Sequence, residues 1–174
     1  MLTLPIGTII RIGEDYFEIT GREPYNYETT TEFAALLAGA NSNYIQIPNM
    51  EPQKTIVRLM YILMGFDDGL TYRVQYQMGT ERWGTDKDQG SGYLNAALSP
   101  RWAMNEDFAF WLMTNDIMAV RAENATQYPK TPKVYFQGFK YDITPIVELD
   151  SLTQLAEGLL EFFVIPRGVK EAGA

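Results

Sequence analysis

Two aspartates at alternate positions, Asp86 and Asp88, stand in the stretch WGTDKDQGSG, residues 83 to 92, with two glycines close behind. Oxygen ligands at alternate positions are what a calcium loop uses, with a glycine at its sixth position and a bidentate acid at its twelfth. Counting from Asp86, those positions hold Ser91 and Ala97, and Lys87 between the aspartates lowers their joint attraction for a cation. Glu81 would join Asp86 and Asp88 only in a looser site, and a solvated acidic turn explains the same residues, so no tight metal site is expected. The stretch also fails as a phosphate loop, because no Gly-Lys-Ser/Thr follows.

The remaining chemistry-bearing residues are carboxylate pairs, Glu14-Asp15, Asp67-Asp68 and Glu106-Asp107. Glycoside hydrolysis needs two carboxyls facing one bond, but adjacent strand residues point to opposite faces, and the first two pairs sit in turn-like contexts. Ser99 before Pro100 lacks the glycines of a nucleophile elbow, and the chain has no histidine to activate it. With no histidine and no cysteine, the commonest general base, the commonest transition-metal ligand and all thiolate chemistry are absent. The expectation is a protein that is not an enzyme and carries no cofactor.

A chain of 174 residues suffices for one domain burying about two-thirds of its unfolded surface. A net charge of −8 without a lysine or arginine cluster has the wrong sign for a phosphate backbone, so nucleic acid is not an expected partner. No apolar run reaches the length of a membrane span, and MLTLPIGTII lacks the pattern of a secretory signal. The NAT sequon at Asn124 is accordingly read as chance. Only 21% of residues are charged and 13% are aromatic, which favours a surface used for assembly over one adapted to a solitary monomer.

These residues must be held by short strands. Eight candidates are 8–12, 16–20, 44–47, 54–64, 70–78, 108–114, 117–123 and 133–142. GED forms the first turn, a three-residue loop, and DDG at 67–69 the strongest hairpin. The run 54–64 is apolar on both faces and must lie centrally or be covered twice. The segment 79–99 reads as an irregular excursion, Ser99-Pro100 as the start of one helical turn, and 133–142 as an edge or late strand in which Gly138 marks a bulge or close contact. A short helix is expected at 30–39, stopped by Gly39. A second, amphipathic helix follows from Asp150 or Ser151, with apolar residues at 152, 155, 156, 159, 160 and 163. The fold expected is mainly β: an antiparallel β-sandwich, jelly-roll-like, over 1–148, with a C-terminal helix and tail over 149–174. Leu155, Leu159, Phe162 and Phe163 are too many apolar side chains for one helix face. They must pack on the chain's own sandwich or on a neighbouring subunit.

The pattern FAFWLMTNDIMAVRAENATQYPKTPKVYFQGFKYDI, two runs joined to a last strand through a polar loop, resembles the closing strands of single jelly-roll capsid and decoration proteins of bacterial and archaeal viruses. The resemblance covers about residues 105–143 and implies a virion structural subunit, made in the host cytoplasm, whose partners are copies of itself and other virion proteins. It carries no catalytic residue and leaves no small-molecule ligand expected. The alternative is a carbohydrate-binding β-sandwich module, with Tyr25, Tyr27 and Trp83 as loop aromatics that stack on sugar faces.

Overall fold

The computed structural model describes residues 3–28, 35–42, 45–46, 53–64, 70–78, 81–84, 94–95, 101–103, 110–114 and 116–165. In chain order the strands are β1 (Ile9–Ile12), β2 (Asp15–Glu28), β3 (Ile45–Gln46), β4 (Thr55–Met64), β5 (Leu70–Met78), β6 (Glu81–Gly84), β7 (Leu94–Asn95), β8 (Arg101–Ala103), β9 (Phe110–Leu112), β10 (Ile117–Asn124), β11 (Val134–Pro145) and β12 (Phe163–Val164), with helix α1 (Leu149–Ala156) between the last two. All eight expected runs contain a strand.

Two sheets result. The larger runs β12-β1-β2-β11-β4, and β8 and β9 share the far edge of β4. The smaller runs β3-β10-β5, and β6 and β7 share the far edge of β5. Taking each edge pair as one interrupted strand leaves two four-stranded antiparallel sheets, extended on one side by β1 and β12. The chain changes sheet from β2 to β3, β3 to β4, β4 to β5, β7 to β8, β9 to β10 and β10 to β11, which gives the double-sheet jelly roll.

β4 and β5 are therefore not the hairpin that the sequence suggests. They lie in different sheets, because β4, apolar on both faces, has β11 on one edge and β8 and β9 on the other. Asp67–Gly69 lies outside the described residues. The first turn is tighter than expected, with Ile12 opposite Asp15, so that Gly13 and Glu14 alone form the loop. Gly13 takes φ +64 and supplies the positive φ needed at the first central position. β11 is no edge strand either, since β2 flanks it on one side and β4 on the other. β2 runs through Pro24 to Glu28, well past the expected end of that strand at residue 20. Along β2, β1 pairs only with Asp15–Glu18, so the described part of that edge carries no ladder at Pro24.

The small sheet buries Leu70, Tyr72, Met118, Val120 and Ala122 on one face, as the register of β5 and β10 requires. The Tyr72 hydroxyl accepts a hydrogen bond from the Lys133 backbone at 3.3 Å, which turns this face towards the large sheet. Val57, Leu59, Val134 and Phe136 lie on the facing side of the large sheet and complete the sandwich interior.

The large sheet has a second core on its other face. Ile10, Phe17, Ile19, Ile56, Trp111, Tyr141 and Ile143 form one cluster with Leu4 and Ile165. On β4, Ile56 belongs to this cluster while the adjacent Val57 must point the opposite way. Trp111 on β9 and Phe163 on β12 stand five strand spacings apart, roughly 24 Å on a flat sheet, yet their ring centroids are 6.3 Å apart. The sheet therefore curls until its two ends meet around an apolar plug. Tyr141 stacks 5.8 Å from Trp111, and its hydroxyl accepts from the Leu4 backbone at 3.4 Å. The Arg58 guanidinium lies 5.4 Å above the Trp111 ring.

Curling is eased by two irregularities in the central strands. The register of β11 on β4 shifts between Gln137 and Gly138, leaving Met60 as the extra residue, and that of β11 on β2 shifts at Asp142/Ile143, leaving Thr20 extra. Gly138 thus makes both the bulge and the close contact expected of it. A Cβ there would collide with the Arg58 carbonyl oxygen and sit 3.1 Å from the Leu59 Cα.

The expected helix at 30–39 is not formed where it is described. Leu36 instead bridges Lys130, and Ala38 and Gly39 form a turn; residues 30–34 lie outside the described residues. The expected turn of helix after Ser99 gives way to strand β8 on β4. Because the Gly138 contact is with backbone, which cannot rotate away, Gly138→Ala should lower unfolding stability by about 3 kcal/mol or more. A urea midpoint unchanged in this variant would contradict the packing at the bulge.

Candidate functional site

The curled end of the large sheet is not filled to its rim. A cavity of about 240 Å³ opens where the β1–β2 turn, the start of β4 and the residues after β9 converge. Ile12, Phe17, Ile56, Met113 and Ile143 form its apolar floor, continuous with the plug. Asp15, Gln53, Thr55 and Thr114 bring polar groups to it. Nothing in the sequence spacing signals this set, which is collected from four distant segments by the sheet's curl. Only Asp116 leaves a local trace, as a turn-forming residue type just before β10. The Asp116 carboxylate, buried, accepts from the Met113 backbone at 2.8 Å, and the Asp116 N–H donates to the Met113 carbonyl at 3.1 Å.

Asn124, 2% exposed, is a structural knot. Its amide donates to the carbonyls of Leu36, Leu37 and Tyr128 at 3.0, 3.1 and 2.8 Å, and its Oδ1 accepts from the backbone and hydroxyl of Thr126 at 3.0 and 2.6 Å. Two carbonyls that a helix over 30–39 would direct along its own axis are thereby engaged, which is one reason the chain is extended there. The sequon is buried in this knot and does not present its amide to solvent.

The C-terminal segment is built into the domain. Helix α1 is shorter than expected and starts after Glu148, not Asp150 or Ser151, without a side-chain cap. It stops at Gly158, whose φ of +73 closes a Schellman turn, with Leu159 N–H donating to the Gln154 carbonyl at 2.8 Å and Gly158 N–H to Leu155 at 3.2 Å. β12 then pairs in parallel with β1. Of the four interface candidates, Leu155 is buried within the chain. Phe162 packs edge-on against Tyr16 at 5.2 Å under the Arg11 guanidinium, and Phe163 packs near Trp111. Leu159 alone stays outside, 69% exposed. The division at residue 148 thus does not separate the segment from the sandwich, because its strand extends the sheet and Ile165 joins the plug.

The aromatics proposed for sugar stacking are not in loops. Tyr25 and Tyr27 lie in β2, on one face by alternation, opposite Gly138 and Phe136 of β11, and both are half-buried. Trp83 lies in β6 of the other sheet, opposite Tyr76. Glu81 begins the same strand opposite Met78, while Asp86 and Asp88 lie outside the described residues. Among the described residues no three metal-binding side chains cluster, and no helix is long and apolar enough to cross a membrane.

No protein-family model matches the chain, and a search of curated proteins finds no relative.

Burial of the Tyr25 hydroxyl, which has no hydrogen-bond partner, pushes its pKa from 10.0 up to about 12. The fold therefore favours the protonated phenol. That contribution to stability is complete below pH 10 and is lost as the pH rises towards 12. Tyr25→Phe should keep or raise stability at neutral pH, since it removes a buried polar atom that makes no bond, and should flatten the alkaline loss. A Phe variant clearly weaker at neutral pH would show that the hydroxyl is satisfied.

Proposed function

We propose that the chain is a virion structural subunit, of capsid or decoration type, that works through contacts with copies of itself and with other virion proteins. The observation that carries this reading is the strand order, since the double-sheet jelly roll is an architecture of viral shells as well as of lectins and cupins. Metal chemistry of the imidazole-ligated kind has no ligands to use here, as the chain has no histidine.

The exposed apolar side chains support the same reading. Leu37 and Tyr128 are brought together by the Asn124 knot before β11 begins, and Val147 and Leu149, 80% and 77% exposed, follow its end with Leu159 beyond α1. β11 has 12 residues, which separates the two groups by roughly 40 Å at about 3.3 Å per residue. Apolar surface at opposite ends suits contacts that repeat from copy to copy. The net charge of −8 opposes such contacts, so they must be apolar and strengthened by salt.

Sedimentation velocity across a concentration series at low and high salt tests this. The expected result is association that grows with concentration and with salt, and that falls when Val147 and Leu149 are both changed to Asp. A protein that remains monomeric throughout would contradict the proposal.

A further inference from the structure

We propose that Pro24 keeps the open edge of β2 from pairing with a second copy of this chain. β2 has two sides, and only one is filled along its length. β11 flanks it from Phe17 to Glu28. On the other side β1 ends opposite Glu18, and Ile19 makes the last bonds, donating to the Thr8 carbonyl at 3.0 Å and accepting from the Gly7 N–H at 2.8 Å. Beyond Ile19 nothing among the described residues pairs with this side, and Arg22, Glu23, Pro24 and Asn26 are exposed. An open strand edge of this length is a template for another strand.

The phase of the backbone decides what this edge offers. Ile12 and Asp15 flank the two-residue turn, so Asp15, Phe17 and Ile19 turn their N–H and C=O groups towards β1. Thr20 is the extra residue opposite β11 and reverses that order. From Gly21 onward the odd residues serve β11, and Arg22, Pro24, Asn26 and Glu28 turn their backbone groups outward. Pro24 has no N–H, and it occupies the side of β2 where that lack costs no bond within the fold.

Apart from Pro24, the outward residues match a second copy. β1 limits the free lane to residues 22–28, whose midpoint is Tyr25, and an antiparallel pairing about a two-fold axis at Tyr25 uses all of it. In that register Arg22 stands opposite Glu28 of the second copy, which sets opposite charges against each other at both ends. Pro24 stands opposite Asn26 on either side of the axis. Its ring occupies the place from which an N–H would donate to the Asn26 carbonyl, so that bond is lost on both sides and the strands are held apart. One residue therefore keeps the edge single and, on the reading of an assembling subunit, leaves association to the apolar ends.

Sedimentation velocity of the full chain carrying Val147→Asp and Leu149→Asp, with and without Pro24→Thr, tests the proposal apart from the apolar ends. The Pro24→Thr protein should dimerise at about one-tenth or less of the concentration that the protein with Pro24 needs. Threonine suits an exposed strand position, so the fold should hold. The chain has no cysteine, so Tyr25→Cys adds a single thiol. Residue 25 would face itself across the axis as a non-hydrogen-bonded pair with Cα atoms about 4.5 Å apart, within reach of a disulfide. Oxidation of the two thiols by diamide should link the protein carrying both Pro24→Thr and Tyr25→Cys into dimers and leave the one with Tyr25→Cys alone monomeric. A Pro24→Thr protein that associates no more than the protein with Pro24, or cross-linking that is as fast with Pro24 in place, would overturn the proposal. Neither result depends on whether the unaltered chain associates, so this proposal and the assembly reading fail separately.

Discussion

The fold depends on two neighbouring strands that are covered on both faces. β4 buries Ile56, Val57, Arg58, Leu59 and Met60 in succession, so consecutive side chains enter different cores and neither face can be left to water. β11 does the same in two stages, with Val134 and Phe136 turned to the sandwich and Tyr141 and Ile143 to the plug. The two stages follow from simple alternation along β11, and where the strand pair is bulged at Met60, Gly138 lets the Arg58 backbone approach more closely than any side chain would allow. Bulges add local twist, and twist is what turns a sandwich sheet into one that closes on itself at its far end.

Closure gives the chain's two ends a shared task. Leu4 caps the plug through its bond to Tyr141, and Ile165 enters it beside β1. The C-terminal segment therefore supplies Leu155, Phe162, Phe163 and Ile165 to its own domain and leaves Val147, Leu149, Leu159 and the half-exposed Val164 outside. The plug does not reach the rim on the side of the Gly13-Glu14 turn, and that shortfall is the cavity. The cavity thus comes from one structural feature, the curl of the large sheet.

Local pattern made the strands legible and pairing did not. Alternation in β5 and the doubly apolar run of β4 marked both strands, and the glycine in FQGFK marked its bulge. The partner of each strand depends on which edges are already taken, and so the apparent β4–β5 hairpin is a crossing between sheets. TTTEFAALLAGAN has helical propensity in its alanines and leucines, but Asn124, far along the chain, bonds the Leu36 and Leu37 carbonyls. In the C-terminal segment the apolar spacing suggested a helix through 163, whereas Gly158 stops it and frees Phe163 to become a strand residue. Of the cavity, only Asp15 belonged to a residue pair notable in the sequence. Gln53, Thr55 and Thr114 acquire their relation to it solely through the curl.

The central claim is that one sheet carries two cores and that β12 closes the second. Hydrogen exchange of the intact protein, resolved to individual amides, tests it most directly. Amides of β1, the first part of β2 and the bonded Ile165 N–H should be protected as one cooperative unit, distinct from the unit formed by β5 and β10. An Ile165 amide that exchanges like an unfolded peptide while β1 and β2 stay protected would show that the C-terminal segment is an appendage, and the account of a closed second core would fail.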